Sequence, residues 1–437
     1  MKMRTGMKYA GFAFGICLLV LGGIHLATAC GHSADPVDNR IAADLNASLS
    51  NEMSEREGFE GFDRKITAYM QEWGLQGVSL SVMRNDSLLL AKGYGWADKR
   101  EEIKMQPGHI LRMASVSKLI TATGIMVLQE AGKLSLSDTV FGPSGILRDS
   151  VFTEVIKDRN YFKITVEDLL RHKGGFLVTG GDPMFSTRTV MLQNHLRTPP
   201  DNKRLLRICL RKTLGYEPGT TQAYSNLGYM ILSLVIEKVS GMSYEDFIRL
   251  EVLEKARCYD MHLAHNYYKD RYPNEVRYYV PVNEKPVPEY NNSGKMVTRC
   301  YGGNDIRALS GAGAWVGSTP ELARFVASID GKPSVPDILT PQSVEAMTEW
   351  FDPDTFSLGW NDTKPTGEWT RTGTFSGTTA LVKYFPEGDC WIFIANTSTW
   401  KGPSFSKKTE ALIRELRPLY NPLFPRRDLF WEKETDE

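Results

Sequence analysis

Ser115-Val116-Ser117-Lys118 sets a hydroxyl and an amine three residues apart. On a helix, residues i and i+3 share a face, so the two side chains can meet. An acyl-transfer nucleophile needs a base, and a lysine deprived of water can serve because burial favours its neutral form. A helix starting here would also bring free amides and a positive field close to a developing oxyanion. Spacing alone does not select this pair, since Ser404-Phe405-Ser406-Lys407 shares it. The surroundings separate the two. After Ser115 come Leu119, Ile120, Ala122, Ile125, Met126, Val127 and Leu128, apolar on nearly all sides, which marks a buried helix. A lysine at the head of such a helix is costly unless it is paired or used. After Ser404 the chain carries Lys408, Glu410, Arg414 and Glu415, so Lys407 can stay in water.

Two later stretches offer partners. Tyr224-Ser225-Asn226 follows Pro218-Gly219-Thr220 and leads into an apolar helix. A tyrosine hydroxyl near a lysine can pass a proton between nucleophile and leaving group. Asn226 can hold Lys118 or a substrate carbonyl. Tyr290-Asn291-Asn292 repeats the pattern, but in a polar stretch with no helix behind it. Arg371-Thr372-Gly373 lies on a late strand. A cation followed by a hydroxyl at a strand edge can bind a carboxylate, and a glycine there admits a close backbone approach. The amide of Thr374 would complete an oxyanion hole with that of Ser115.

These residues need elements to hold them. Phe62–Trp73 reads as an amphipathic helix. Gly77–Val82 and Ser87–Gly95 read as strands joined at Asn85-Asp86, a hairpin signal. Leu111–Met113 leads into a long helix, Ser117–Glu130, stopped by Gly132. Helices are expected at Val166–Arg171, Asn226–Val239, Tyr244–Leu253 and Pro320–Ile329. The stretch 265–305, rich in Tyr, Pro and Asn, has no clear period and reads as a surface excursion. Trp369–Thr374, Thr379–Phe385 and Cys390–Asn396 read as strands, with a turn at Pro386–Asp389, and Phe405–Leu419 as a closing helix. Strands at both ends with helices between predict an α+β fold: an antiparallel sheet formed from the N- and C-terminal segments, flanked by helices, with a mainly helical region inserted at about 133–310.

The ordered set S-x-x-K, Y-x-N and cation-T-G resembles the motifs of penicillin-recognising serine hydrolases, the group of class C β-lactamases, D-alanyl-D-alanine carboxypeptidases, D-aminopeptidases and related esterases. Leu111–Lys118 is similar to that family's first motif, Leu169-Leu170-Arg171-His172-Lys173-Gly174-Gly175 to its L-L-x-H-x-S-G segment, and Gly311-Ala312-Gly313 with Leu322–Phe325 to its glycine-rich turn and helix. The likeness spans about 58 to 418. It implies a β-lactamase/transpeptidase-like fold and an acyl-enzyme on Ser115, with Lys118 and Tyr224 managing its proton. It further implies that Asn226 positions substrate or Lys118, and that Arg371 and Thr372 bind a carboxylate or polar tail. It implies no metal or cofactor, and as substrate an amide or ester: a D-amino-acid peptide of cell-wall type, a small ester or a β-lactam. Two positions depart from the pattern. Arg371 stands where Lys or His is usual, and arginine holds its proton too tightly to donate it. Gly174 stands where the L-L-x-H segment usually has serine.

Composition fits a globular enzyme, with 42% hydrophobic and 24% charged residues. The 52 basic and 52 acidic residues cancel, and no basic run follows residue 30, so nothing points to nucleic acid. Lys2, Arg4 and Lys8 precede the apolar run Ala10–Ile24, which reads as an export signal over 1–29, too short for a membrane span. Leu26-Ala27-Thr28-Ala29-Cys30 resembles a lipobox, with lipidation at Cys30 as the only membrane attachment; Ala27-Thr28-Ala29 also suits ordinary cleavage. A bacterial lipoprotein at the periplasm or outer membrane is expected, with a flexible tether over 30–57, the hydrolase domain over 58–420 and a tail over 421–437. Cys209, Cys258, Cys300 and Cys390 lack C-x-x-C spacing and leave room for one or two disulfides or for buried thiols. G-x-S-x-G and H-E-x-x-H are absent, and His262/His265 lacks an acidic partner in helical register. The reading from another class is a surface lipoprotein with a retired site, binding cell-wall peptide or a partner.

Overall fold

The computed structural model describes residues 45–177, 181–352, 355–424 and 427–431. The expected export signal, Cys30 and the first part of the tether lie outside the described residues.

Helix α1 (Glu60–Trp73) buries Phe62, Ile66, Tyr69 and Met70, a stripe at helical spacing, and ends where Gly74 adopts φ 66°, a left-handed cap. Strands β1 (Gly77–Arg84) and β2 (Ser87–Asp98) follow. Asn85 and Asp86 both take positive φ, the conformation that a two-residue hairpin turn requires. A short β3 (Ile103–Lys104) completes this side. Helix α2 (Ser117–Glu130) is buried on every face over its first ten residues. Helix α3 (Asn226–Ser240) is capped by Ser225, whose hydroxyl accepts from the Gly228 amide, and α4 (Thr319–Ala327) is capped in the same way by Ser318. The chain then returns through β4 (Asp362–Thr363), β5 (Trp369–Phe375), β6 (Thr378–Tyr384) and β7 (Asp389–Ala395), and closes with α5 (Phe405–Tyr420).

The seven strands form one antiparallel sheet in the order β3-β2-β1-β7-β6-β5-β4, so first and last segments meet at its centre, where β1 pairs with β7. This is the expected α+β arrangement. Both faces of the sheet are covered. Val78, Leu80 and Val82 join Leu381, Trp391 and Phe393 against α1 and α5. Ala380, Val382, Ile392 and Ile394 face the helical region with α2 and α3. The period of two is thus split between two apolar layers, and every residue of β6 and β7 is buried. A slip of one residue would carry Trp391 into the wrong layer. Trp391 and Phe62 are fully buried with rings 6.1 Å apart, and each contributes roughly 2–3 kcal/mol by burial.

Two regions differ from expectation. A second sheet joins three very short strands, Leu111–Arg112, Trp315–Gly317 and His262–Leu263, the first of them just before Ser115. Strands of two or three residues are too short for a period to show. The stretch 265–305 is no mere surface excursion, because Val276, Tyr278 and Cys300 are buried at its centre. Its physical reason is Arg112, whose guanidinium lies over the Tyr278 and Tyr301 rings and donates to the carbonyls of Cys300 and His265. The segment therefore pins the strand three residues before Ser115. Within the expected tether, Leu45, Leu49 and Ser54 are already packed on the domain. Cys209, Cys258, Cys300 and Cys390 are four separate buried thiols.

Candidate active site

Between Leu111 and Met126 every residue is buried except Ser115. It stands in a 3₁₀ turn, Ala114–Val116, that runs straight into α2. The turn presents its hydroxyl by way of Ala114, which holds φ 47° despite its Cβ, a conformation that costs on the order of 1 kcal/mol. Positive φ appears also at His172 (φ 58°) and Ser310 (φ 45°), two other residues that shape the site.

Lys118 lies one helical turn on and is wholly buried. Its Nζ donates to Ser115 Oγ at 3.1 Å, to Asn226 Oδ1 at 2.7 Å and to the Ala312 carbonyl at 2.5 Å. All three of its N–H groups are thus used. Ala312 belongs to the glycine-rich turn, where a Cβ on Gly311 would sit 2.8 Å from Thr121 Oγ1. Tyr224 Oη donates to Ser115 Oγ at 2.7 Å, and its ring lies 5.0 Å from Lys118 Nζ. Burial brings the Lys118 amine down to about 8, with the Arg371 charge pushing the same way and Tyr224 opposing. Burial pushes Tyr224 up, but the charges of Lys118 and Arg371 outweigh it and bring the phenol down to about 8. Two groups matched in this way exchange a proton at little cost and titrate as a pair.

Arg371 is fully buried. Its Nε donates to the Ser115 carbonyl at 2.7 Å and its Nη2 to Tyr224 Oη at 3.4 Å. The expected carboxylate clamp at the strand edge is therefore not where this side chain goes. Strand parity explains it: Arg371 and Gly373 share the face of β5 turned to Ser115, paired with Val382 and Ala380 of the helical layer. Gly373 permits that approach. A Cβ there would lie 2.2 Å from the Met113 carbonyl oxygen and 2.9 Å from the Ser115 amide nitrogen. Thr372 is on the opposite face, and its amide and hydroxyl both donate to Asn361 Oδ1, at 2.7 and 3.1 Å. β4 pairs with β5 only at Trp369 and Thr370, so β5 has a free edge beyond them. The Thr372 amide points out of that edge, and by the alternation of an antiparallel strand so does the amide of Thr374.

The sequence profile of the family described as Beta-lactamase matches residues 62–416. The chain belongs to the beta-lactamase family. It is a serine hydrolase of amides or esters. The chain is 25% identical to a putative penicillin-binding protein, PbpX, of Bacillus subtilis (strain 168), over 90% of each chain. It is 27% identical to a putative D-alanyl-D-alanine carboxypeptidase of Escherichia coli O157:H7, over 43% of this chain and 45% of that one. In fold it is similar to the D-alanine carboxypeptidase AmpC from Burkholderia cenocepacia, with a TM-score of 0.61 and 17% identity, over 81% of this chain and 97% of that one.

Within this beta-lactamase-family site, several supports were not singled out from the sequence. His172 stacks on Tyr224 at 4.3 Å and accepts from the Ser225 amide at Nδ1, so its proton is on Nε2. Burial and the charges of Lys118 and Arg371 hold it well below the usual histidine range, hence neutral. Gly174, the departure from the L-L-x-H-x-S-G pattern, is closely packed: a Cβ would meet the Phe176 ring at 2.8 Å and the Leu169 side chain at 3.1 Å, so both would have to shift. Asp182 accepts from both the amide and the Nδ2 of Asn226, at 3.0 and 2.9 Å, which turns Asn226 Oδ1 toward Lys118. Only the L-L-x-H text carried a signal for His172. Asp182 follows a Gly-Gly pair in a loop without period. The decoys fall away: Lys407 is exposed, and Tyr290 lies in the excursion, donated to by Asn266 at 2.9 Å.

Proposed function

We propose that the chain cleaves an amide or ester through an acyl-enzyme on Ser115. One observation carries this: the single accessible residue of a buried stretch is a serine whose Oγ meets both Lys118 Nζ and Tyr224 Oη. When the Lys118–Tyr224 pair has lost one proton, the hydrogen bond at Ser115 reverses and the pair accepts the Oγ proton as Oγ bonds to the substrate carbonyl carbon. The amides of Ser115 and Thr374 hold the oxyanion. The same proton then passes through Tyr224 to the leaving nitrogen or oxygen as its bond to the carbonyl breaks. Water then bonds through its oxygen to the acyl carbon while the same pair takes its proton, and the pair returns that proton to Ser115 Oγ as the Oγ–acyl bond breaks and the acid leaves. Asn226 fixes Lys118, and Arg371 holds the Ser115 turn and favours the deprotonated tyrosine. Thr372, at the free edge of β5, meets the substrate's polar tail.

The substrate is a small molecule or peptide, of the D-amino-acid or cell-wall type suggested by the names of the relatives. The protein is exported, and Cys30 carries a lipid that holds it at the membrane surface. No helix among the described residues is long and apolar enough to cross a membrane.

The test is covalent labelling. The full chain and Ser115→Ala are incubated with a fluorophosphonate and with a labelled penicillin, and intact masses are read. A mass increase that disappears in Ser115→Ala is expected with the fluorophosphonate. A label that survives the substitution overturns the assignment, and a penicillin adduct directs the substrate toward β-lactams.

A further inference from the structure

We infer that Asn361 sets how long a leaving group this site takes. Its side-chain carbonyl stands where an extended substrate would bond to β5, so short leaving groups enter freely and longer ones must displace it. This rests on Ser115 as the nucleophile and deepens that reading by naming a residue that decides specificity.

A strand edge offers the N–H and C=O of every second residue. On the outer edge of β5 these residues are Thr370, Thr372 and Thr374. Asn361, the residue before β4, donates its own N–H to the Thr370 carbonyl at 2.9 Å, and there the backbone pairing ends. The side chain carries on where the backbone stops. Asn361 Oδ1 accepts from the Thr372 amide at 2.7 Å and from the Thr372 hydroxyl at 3.1 Å. It does for Thr372 what the carbonyl of a further strand residue would do. Both donors of Thr372 are thus taken. The next amide along the edge is that of Thr374, one residue past Gly373, where β5 meets the Ser115 turn.

The position of Asn361 is fixed from behind. Trp360 is buried, and Gly359 lies against α2, where a Cβ would come 2.8 Å from that of Ala122 and 3.3 Å from the Lys118 carbonyl oxygen. Asn361 therefore keeps its place relative to the nucleophile. Its side chain is part-exposed and has solvent to turn into.

The sheet also gives the direction. β4 and β6 both run antiparallel to β5. A peptide lying along the same edge in that sense, with its scissile carbonyl at the Thr374 amide, has its C-terminal side toward Thr372. That is the side of the leaving group. Thr372 lies two residues back, about 7 Å along the strand. A small leaving group such as ammonia or an alcohol stops short of it. A leaving group of two residues reaches Asn361, and there it only exchanges its own hydrogen bonds for those that Asn361 already makes, with little net gain. Thr372 meets a polar tail once Asn361 has turned away.

The experiment is protection of Ser115 from a fluorophosphonate in the full chain at pH 7, read by intact mass at early times. Two ligands are compared, each in all-L and all-D form: N-acetylalaninamide, which ends just past its carbonyl, and N-acetyltrialanine, which continues two residues past its first alanine. In the native protein the two should protect at concentrations within about threefold of each other. Asn361→Ala frees both donors of Thr372, and the tripeptide should then protect at roughly tenfold lower concentration than the amide. Asn361→Asp keeps the shape and holds the same donors by charge, so there the tripeptide should fall about threefold or more behind the amide. A ratio of the two ligands that is the same in all three proteins overturns the inference, as does a tripeptide that gains in Asn361→Asp. A merely structural role would shift both ligands together and leave that ratio unmoved. Absence of any label on Ser115 instead overturns the nucleophile, and this inference with it.

Discussion

Two stretches of this chain have the same spacing and a similar passage from a 3₁₀ turn into a helix, and only one gathers a buried polar set around its serine. Ser115 and Ser404 each stand in a 3₁₀ turn that runs directly into a helix, with a lysine three residues on. Positive φ opens both turns, at Ala114 one residue before Ser115 and at Gly402 two residues before Ser404. Beyond that they diverge. Ser404 Oγ donates to the Lys401 carbonyl at 2.8 Å, and Lys407 is in water. Lys118 is sealed in, brought down to about 8 by burial and shared among Ser115, Asn226 and Ala312. The chemistry therefore comes from what is packed around the turn: α3 with Asn226, the glycine-rich turn, and β5 passing beneath with Arg371. The motif supplies the atoms, and tertiary burial supplies the acidity.

The largest test of this contrast is the pair Ser115→Ala and Ser404→Ala. Loss of the nucleophile from a set acting as a unit costs about 10⁴-fold or more in turnover. Ser404→Ala should leave kcat/KM for a p-nitrophenyl ester within about twofold. A comparable loss at Ser404 would break the comparison at its root.

The approach of β5 comes next. Gly373→Ala puts a methyl 2.2 Å from the Met113 carbonyl oxygen, which is backbone and cannot swing aside. The strand must retreat from Ser115, taking the Thr374 amide and Arg371 with it. A displacement of about 1 Å at a reacting centre is worth on the order of 10²-fold, so kcat should fall by that factor in steady-state kinetics. Unchanged kcat would mean that the edge of β5 takes no part.

These two tests concern features that were unequally legible. The S-x-x-K, Y-x-N and R-T-G stretches could be read because each sits at a change of pattern, and the apolar run after Ser115 was enough to set the decoy at Ser404 aside. The strands and long helices follow from periods of 2 and 3.6 and lie within a few residues of expectation. Arg371 was readable in kind but not in direction. Its parity with Gly373 fixes its face only once the nucleophile turn is known to lie against that face. Ala312 acts through its carbonyl, which no side-chain pattern announces. Asp182 follows a glycine pair in an aperiodic loop and is recruited by Asn226 from a distance. The packing role of 265–305 was hidden because irregular backbone around Arg112 has no period to detect.

Arg371 gives a smaller and sharper effect. Its charge lowers both Lys118 and Tyr224, each at about 8, and catalysis needs one proton removed from that pair. In the native protein kcat/KM for a neutral ester should therefore rise with pH through about 8. Arg371→Met removes a cation that favours proton loss. The inflection should move upward by about one unit, so activity near pH 7 falls roughly tenfold and recovers at higher pH. Arg371→Lys keeps the charge and should keep most of the native profile, whereas Lys407→Met should not move it. A profile fixed in all three variants would separate Arg371 from the acidity of the site.

The smallest effect returns to the positive φ with which both turns open. Gly402 has φ 51° and nothing within 4 Å of where a Cβ would be, so Gly402→Ala meets strain without collision. Left-handed backbone with a Cβ costs roughly 1–2 kcal/mol. Thermal unfolding should therefore shift down by a few degrees while ester hydrolysis is unchanged. Ala114 already bears that strain, at φ 47° and fully buried, and it does so one residue before the nucleophile. Strain is kept where burial over-determines the turn and a hydroxyl must be presented. At the other turn, where no hydroxyl is used, the positive φ two residues before Ser404 falls to a glycine. If Gly402→Ala lowered hydrolysis as well as stability, the two turns would be coupled and the contrast between them would be one of degree.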